Sequence, residues 1–512
     1  MKYIIGVDIG TTSTKAIAFD ISGNTLYKES ILYPIYNQKP TWSEQNPDEI
    51  FQAVIQAIKV TVSENDSKGN QLLGIAFSSA MHSLIAVDKE GELLTNCIIW
   101  ADTRSKGYAD KIKGTELGHE IYIRTGTPIH PMSPLCKICW LRDNMRDIFD
   151  KTYKFISIKE YIFLKLFGQY VVDYSIASTT GLFDIYDLKW NKAALNLAYI
   201  TENQLSEPVE ATYSINGIKK EYSVYMNISE DTPFILGAGD GCLANLGAGA
   251  IKKGDATVTI GTSGAIRIIS DKATNDEAER IFNYILTEHH YVLGGAVNNG
   301  GIILRWFRDS FSHIDMEASK RDDIDIYNIL TEEAAKAAPG AGGLIFLPYL
   351  LGERAPHWDA YSKGAYFGIN INHRREHFLR ALLEGIIFGI YSVGKALMET
   401  TGEIKTIYAT GGFVRSKFWV QMLADVFNRN VMIAESYEGS CLGAAVLGMK
   451  ALGIIKSIEE VEGLVPISKT FIPDYKTHEI YMQNYEIYER LYLKLKDEFY
   501  NISQIQEKSY DE

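Results

Sequence analysis

A pattern that occurs twice constrains this chain more than any other feature. Tyr3, Ile5 and Val7 alternate with Ile4, Gly6 and Asp8, the chain turns through Gly10-Thr11-Thr12-Ser13, and a second strand-like run covers residues 15–20. Residues 256–260 repeat the alternation, Gly261-Thr262-Ser263-Gly264 repeats the turn, and Ala265-Ile266-Arg267 begins the return strand. Period-two alternation around a short tip of glycine and hydroxyl residues predicts a β-hairpin in each place. The repetition predicts two halves of like design. Aligned on the turns, Val7-Asp8-Ile9-Gly10-Thr11 faces Val258-Thr259-Ile260-Gly261-Thr262, so the Asp8 carboxylate has no counterpart in the second copy. Two similar halves with one acidic site predict a cleft between them.

Short apolar runs, such as residues 73–77 and 84–87, alternate with amphipathic stretches such as residues 378–398, which predicts an α/β fold in both halves. A chain of 512 residues that is 46% hydrophobic can bury more than one core. The boundary is expected near Asp255, after Ile251-Lys252-Lys253-Gly254, giving domains 1–254 and 255–512. Leu382, Leu383, Ile386, Ile387 and Ile390 have the spacing of a packed helix face. Tyr481, Tyr485, Tyr488 and Tyr492 form a similar stripe on a terminal helix, beyond which the polar tail after Glu498 is expected to fray.

Charge removes some classes of function. With 64 acidic against 51 basic residues the formal charge is −13, which repels nucleic-acid phosphates. The N-terminal apolar run is interrupted at Asp8, too early for a signal sequence. Residues 232–251 carry only Asp240 as a charge, but their five glycines fit a buried turn better than a membrane span. Cys97, Cys136, Cys139, Cys242 and Cys441 are odd in number and not spaced as a disulfide framework, so a reducing cytoplasm is the expected location. Cys136 and Cys139 form a CxxC that could be half a zinc site, a redox pair or a coincidence on a helix; no second CxxC accompanies it.

The hairpin tips carry the first chemical signal. Glycine lets the backbone approach a ligand closely, while consecutive N–H groups and Thr or Ser hydroxyls donate to anionic oxygens. Gly10-Thr11-Thr12-Ser13-Thr14-Lys15 is one such tip, and Asp8 before it could hold Mg²⁺, usually through water, beside phosphates. With Gly261-Thr262-Ser263-Gly264 as the second tip, two anion-ready loops could clamp a polyphosphate from opposite sides. Neither GxxxxGK[ST] nor the HRD and DFG pair of protein kinases occurs. A third glycine element, Ala409-Thr410-Gly411-Gly412-Phe413-Val414-Arg415-Ser416, separates a strand-like run from a helical one. It suits the approach of a base or ribose, or simply starts a helix.

Two longer motifs complete a resemblance. Residues 132–144, Met-Ser-Pro-Leu-Cys-Lys-Ile-Cys-Trp-Leu-Arg-Asp-Asn, and Gly352-Glu353-Arg354-Ala355-Pro356-His357-Trp358-Asp359 through Gly368 are similar to the two signatures of the FGGY carbohydrate kinases, in the actin, hexokinase and Hsp70 superfamily. The chain departs from the second signature at Ala360-Tyr361-Ser362-Lys363-Gly364, where Ala-Arg-Gly is common. The resemblance implies two ribonuclease H-like domains with a cleft between them, and transfer of a phosphoryl group from ATP, with Mg²⁺, to a small sugar or sugar acid. It implies Asp240, in Gly237-Ala238-Gly239-Asp240-Gly241, as the catalytic base, while Asp8, from its place before the first tip, is the candidate metal ligand. Implied nucleotide contacts are Thr11, Thr12, Ser13 and Lys15 at the first tip, Gly261 and Thr262 at the second, Gly301 and Arg305 on a helix, and Gly411, Gly412 and Ser416 at the adenosine turn.

On the substrate side the resemblance implies Met81, His82, Asp102 and Arg104 beside Asp240. His82 could meet a hydroxyl or be packed, and Asp102 and Arg104 could reach substrate or pair with each other. Residues 81–88 followed by Trp100-Ala101-Asp102 resemble the gluconate kinase branch, whereas xylulose kinases tend to carry Gly after Met-His. D-Gluconate is therefore the expected substrate and 6-phosphogluconate the product, with Arg104 the candidate partner for the sugar-acid carboxylate. A xylulose or other pentulose or polyol kinase is the alternative, and a noncatalytic or chaperone-like ATPase of the same superfamily is the alternative of another class. No nucleic acid or membrane partner is expected; the oligomeric state is open, a homodimer being one option.

Overall fold

The computed structural model describes residues 1–434 and 438–510. The chain forms two compact units of interleaved segments. One is built from Met1–Lys253, Ile269–Leu293 and Glu438–Pro466, the other from Gly254–Ile268, Gly294–Tyr437 and Ile467–Glu512. Two segments beyond residue 254 thus pack with the N-terminal unit.

The first unit is organised by a six-stranded sheet in the order Ser214–Ile215, Phe234–Gly239, Gln71–Ser79, Lys2–Ile9, Ser13–Asp20, Thr25–Leu32. Lys2–Ile9 runs antiparallel to Ser13–Asp20 and parallel to Gln71–Ser79, which is in turn parallel to Phe234–Gly239. Alternation assigns its two faces. Tyr3, Ile5, Val7 and Ile9 share a core with Ile50, Phe51, Val54 and Ile58 of the helix Pro47–Asp66, whose N-terminus Asn46 caps by accepting from the Asp48 and Glu49 amides. On the other face Gly6 lies against the helix Gly439–Ala451 so closely that a Cβ there would overlap the Cys441 carbonyl. Small residues let this helix sit almost on the sheet.

The second unit repeats the plan. Gly264–Ser270, Asp255–Ile260, Thr406–Thr410, Asn430–Ala434 and Ile467–Phe471 lie side by side in that order, the middle three parallel. The hairpin Asp255–Ile260/Gly264–Ser270 is the counterpart of Lys2–Ile9/Ser13–Asp20. Residues 378–398 fall within the helix Arg375–Thr401, the one helix among the described residues that is long and apolar enough to cross a membrane; 78% of its apolar window is buried inside the protein, as befits a core helix.

Tyr481, Tyr485, Tyr488 and Tyr492 are all buried on the helix Tyr475–Tyr510. The fraying expected after Glu498 is a correction: the helix continues to Tyr510, because Phe499 and Ser503 are still buried and hold its next turns. Residues 511–512 lie outside the described part.

Candidate active site

Strand register brings the first group of residues together. Asp8 pairs with Lys15 across the hairpin and with Ser78 on the other side, while Ser79 lies beside both Ile9 and Gly239. The C-terminal ends of three parallel strands therefore meet where Asp8, Ser78 and Gly239 stand, the end at which open α/β sheets bind their ligands. Asp240 follows as the first residue of the helix Asp240–Gly247. Its Oδ1 accepts from the Gly241 amide at 2.6 Å, and its carbonyl accepts from the Ser440 hydroxyl at 3.2 Å. Behind it the strand end is tied by buried groups: Gly239 N donates to Ser175 Oγ (3.1 Å), and Lys159 donates to the Ala238 carbonyl (3.2 Å) while pairing with Asp173 at 2.6 Å.

Burial pushes the Asp8 carboxyl above its ordinary range, against the hydrogen bond from Ser78 Oγ (2.7 Å) and the charge of Lys15, and with the charge of Glu438. One carboxylate beside a turn of N–H and hydroxyl donors fits Mg²⁺, which keeps most of its waters and takes one or two protein ligands plus phosphate oxygens. Among the described residues no group of three His, Cys, Asp or Glu side chains could hold a metal by itself. Cys136 and Cys139 are buried thiols on the helix Pro134–Asn144, and the rings of His373 and His377, also at a metal-ligand spacing, accept from the Asn370 and Arg374 amides.

Thr11, Thr12 and Ser13 form the hairpin tip, closed by Gly10 N donating to the Ser13 carbonyl at 3.0 Å. The tip is braced from outside. Trp100 Nε1 donates to Thr11 Oγ1 (3.0 Å), Gln45 Nε2 to the Thr11 carbonyl (2.7 Å) and Tyr33 OH to the Gly10 carbonyl (2.6 Å). Trp100 stands in the Trp100-Ala101-Asp102 stretch of the substrate side, but no motif marked its link to the tip, and Gln45 and Tyr33 stand in no motif at all.

Met81 and His82 follow the strand Gln71–Ser79. His82 is buried with φ 66, its Nδ1 is 2.8 Å from the Thr179 carbonyl and its Nε2 3.4 Å from Tyr284 OH. A carbonyl only accepts, so Nδ1 donates to it, and in a neutral ring Nε2, facing Tyr284 OH, is an acceptor for hydroxyls. Asp102 is fully enclosed and accepts from the Ser43 amide and from Arg104 Nε and Nη2 (2.7 Å). Arg104 Nη2 also donates to Glu44 (2.5 Å), and its guanidinium lies 3.6 Å from the centre of the Trp42 ring. With 3% of its side chain exposed and two carboxylates against it, Arg104 offers no uncompensated charge. Nε and Nη2 are thus taken by Asp102 and Glu44, so the expected pairing of Arg104 with a sugar-acid carboxylate would have to use Nη1.

The second group forms a pocket of about 210 Å³ within the other unit. Gly261, Gly301, Arg305, Gly412 and Ser416, each named from the sequence, all line it. The Gly261 carbonyl accepts from Gly301 N (2.7 Å) and the Thr262 carbonyl from Ile302 N (3.0 Å), so the second hairpin tip caps the helix Gly301–Phe311. Gly411, at φ 95, has no room for a side chain because a Cβ would stand 2.5 Å from the Ile260 carbonyl, whereas a Cβ on Gly412 would meet open space. Ser416 caps the helix Lys417–Phe427. Tyr327 and Asn328 also line the pocket from the helix Ile326–Ala335, which has no motif to announce it. Glu353 of the second signature accepts from Asn298 N (2.6 Å), Asn299 Nδ2 (3.0 Å) and Arg354 N (2.8 Å) just before that capped helix, and burial pushes its carboxyl up to about 7.

Two duplicated hairpins, each feeding parallel strands, with a carboxylate at one set of strand ends and a glycine-lined pocket beside the other, define a two-domain α/β phosphotransferase fold of the ribonuclease H-like kind. Residues 3–247 match the N-terminal domain, and residues 256–452 the C-terminal domain, of the FGGY family of carbohydrate kinases, and the chain belongs to that family. It is 49% identical to a gluconokinase of Bacillus licheniformis over 99% of this chain and 98% of that one. It is 31% identical to a xylulose kinase of Staphylococcus epidermidis over 97% of each. Among solved structures, a gluconate kinase and a ligand-bound xylulose kinase, both from Lactobacillus acidophilus, each superpose with a TM-score of 0.93 at 36% identity. Both cover 98% of this chain, which covers 99% and 100% of theirs.

Proposed function

We propose that this carbohydrate kinase transfers the γ-phosphoryl group of ATP to D-gluconate, giving 6-phosphogluconate, in the cytoplasm. The observation that carries the choice of substrate is the near-full-length similarity, at 49% identity, to a gluconokinase. In this reading Asp240 accepts the proton of the terminal hydroxyl as its oxygen attacks phosphorus, and a carboxylate there is worth about 10²–10⁴ in rate. Met81 and His82 contact the sugar, His82 Nε2 accepting from a hydroxyl, while Asp102 and Arg104 hold the surrounding turn.

Thr11, Thr12, Ser13, Lys15 and Thr262 donate to phosphate oxygens, Gly261 closes the second tip with its N–H on the Ser263 carbonyl (2.9 Å) and lets the nucleotide come close, and Gly301, Arg305, Gly411, Gly412 and Ser416 receive the adenosine. Asp8 would hold Mg²⁺, which supplies charge neutralisation at the phosphates when bound. The domain division near Asp255 belongs to the same reading. A xylulose kinase is the second reading, favoured by the equal TM-score of the solved xylulose kinase. ADP release measured over gluconate, xylulose, ribulose, glycerol and erythritol tests both: gluconate should give the highest kcat/KM, and preference for a pentulose or polyol would overturn the choice.

A further inference from the structure

The first family signature contains a lysine to which the proposed mechanism gives no role. Lys137 lies on the helix Pro134–Asn144 with none of its surface exposed. Its ammonium donates to three main-chain carbonyls, those of His82 (2.6 Å), Ile99 (2.9 Å) and Ile98 (3.1 Å). An ammonium has three N–H donors, so these bonds use its full capacity. The carbonyls belong to two segments with different tasks. His82 is held at φ 66, a left-handed conformation that a residue with a side chain keeps only where its surroundings impose it. Ile98 and Ile99 lead directly to Trp100, whose indole donates to Thr11 of the hairpin tip.

We propose that Lys137 is a positioning residue that locks the sugar-binding turn at His82 by tying it to the segment at Ile98 and Ile99. The inference rests on the assignment of His82 to the sugar site made above. The charged and titratable groups that face Lys137 are Asp102, Arg104, Cys97 and Cys136. Burial pushes both thiols up, to about 12 for Cys97 and about 11 for Cys136, so they stay neutral near neutral pH. Asp102 and Glu44 then balance Arg104 and the protonated Lys137, which closes a neutral buried set.

Burial also lowers the Lys137 ammonium from 10.5 to about 7, partly opposed by Asp102. A neutral amine keeps only two donors, so one of the three carbonyls is released as pH rises through about 7. The tie between the His82 turn and Ile98 and Ile99 loosens on the alkaline side. This loosening is distinct from unfolding, because between about 7 and 10.5 the folded lysine binds fewer protons than the unfolded one, and the group's contribution to stability grows with pH over that window.

The test measures kcat and both KM values of the full chain from about pH 6 to about pH 9, spanning the lysine titration, with the best sugar of the wild-type screen, for wild type, Lys137→Met and Lys137→Arg. Expected are a wild-type sugar KM that rises with pH while the ATP KM stays flat, and a sugar KM about tenfold higher in Lys137→Met without that pH dependence. Lys137→Arg, permanently charged, should recover part of the affinity and also lose the pH dependence. The proposal is overturned if a Lys137→Met protein that melts and binds a nucleotide analogue normally has the wild-type sugar KM, or if kcat and both KM values deteriorate together. It is equally overturned if the wild-type sugar KM does not change with pH, the deciding result should Lys137→Met fail to fold. A wild type that phosphorylates no sugar would instead sink the kinase assignment.

Discussion

Lys15 Nζ lies 2.8 Å from Glu438 Oε2, so a lysine expected to meet phosphate is already paired with a carboxylate. Glu438 takes Lys28 as well. Burial works against both charges, but the Glu438 bond holds the Lys15 ammonium above its usual range, and the two lysines hold the Glu438 carboxyl below its own. The pair is partly exposed, with side-chain exposures of 34% and 21%, and is worth about 1 kcal/mol or less. Glu438→Gln should free Lys15 for an incoming anion and lower the ATP KM a few-fold. A depressed carboxyl contributes stability that is present above its ordinary 4.5 and lost as pH falls through its folded value. The acid side of the melting curve should therefore be shallower in Glu438→Gln than in wild type, which thermal melts across the acid range would show.

Asp240→Asn separates chemistry from folding. The amide oxygen can still accept from the Gly241 amide, the bond Asp240 Oδ1 makes now, so melting temperature and nucleotide-analogue binding should match wild type. Sugar-dependent ADP formation should fall by about 10²–10⁴ because the base is gone. Turnover close to wild type would remove Asp240 from the role.

Adjacent glycines at the pocket proposed for adenosine should respond oppositely. Gly411→Ala forces a Cβ against the Ile260 carbonyl at φ 95 and should destabilise the protein by about 1–3 kcal/mol. Gly412→Ala places its methyl in open space on the pocket wall. Its melting temperature should be unchanged while its ATP KM rises. Calorimetry and initial-rate kinetics on the two variants check this together.

Asp8→Asn should raise the Mg²⁺ concentration needed for half-maximal activity. Because burial lifts the Asp8 carboxyl above 3.8, the metal requirement of wild type should increase as pH falls toward that raised value. The asparagine variant should lack this increase. Mg²⁺ titrations at several pH values read it directly, and identical titrations for both proteins would count against Asp8 as a ligand.

The fold was legible where local pattern and tertiary role coincide. Alternation at Tyr3, Ile5 and Val7 reports two buried faces of one strand, and the repeated glycine and threonine tips report tight turns, since few other residues make them. The terminal helix was harder to bound. The burial of Phe499 and Ser503 depends on what packs against them, which composition does not reveal.

The glycine-lined pocket shows the same division. Gly261, Gly301, Arg305, Gly412 and Ser416 each stand in a motif, because glycine and serine at turns and helix starts have few substitutes. Tyr327 and Asn328 line the same pocket from an ordinary amphipathic helix and carry no mark.

What the sequence determined by itself was the duplicated hairpin design, the family, and the candidates for its chemistry: Asp240, Asp8 and the two donor-rich tips. What only the tertiary structure decided was which charges remain available. Arg104 and Lys137 are both cations in the chain as written, yet Arg104 is neutralised by Asp102 and Glu44, and Lys137 spends its three protons on His82, Ile98 and Ile99. The reason is that a buried charge is governed by the partners that long-range folding brings within hydrogen-bond distance, and a linear sequence does not contain that distance.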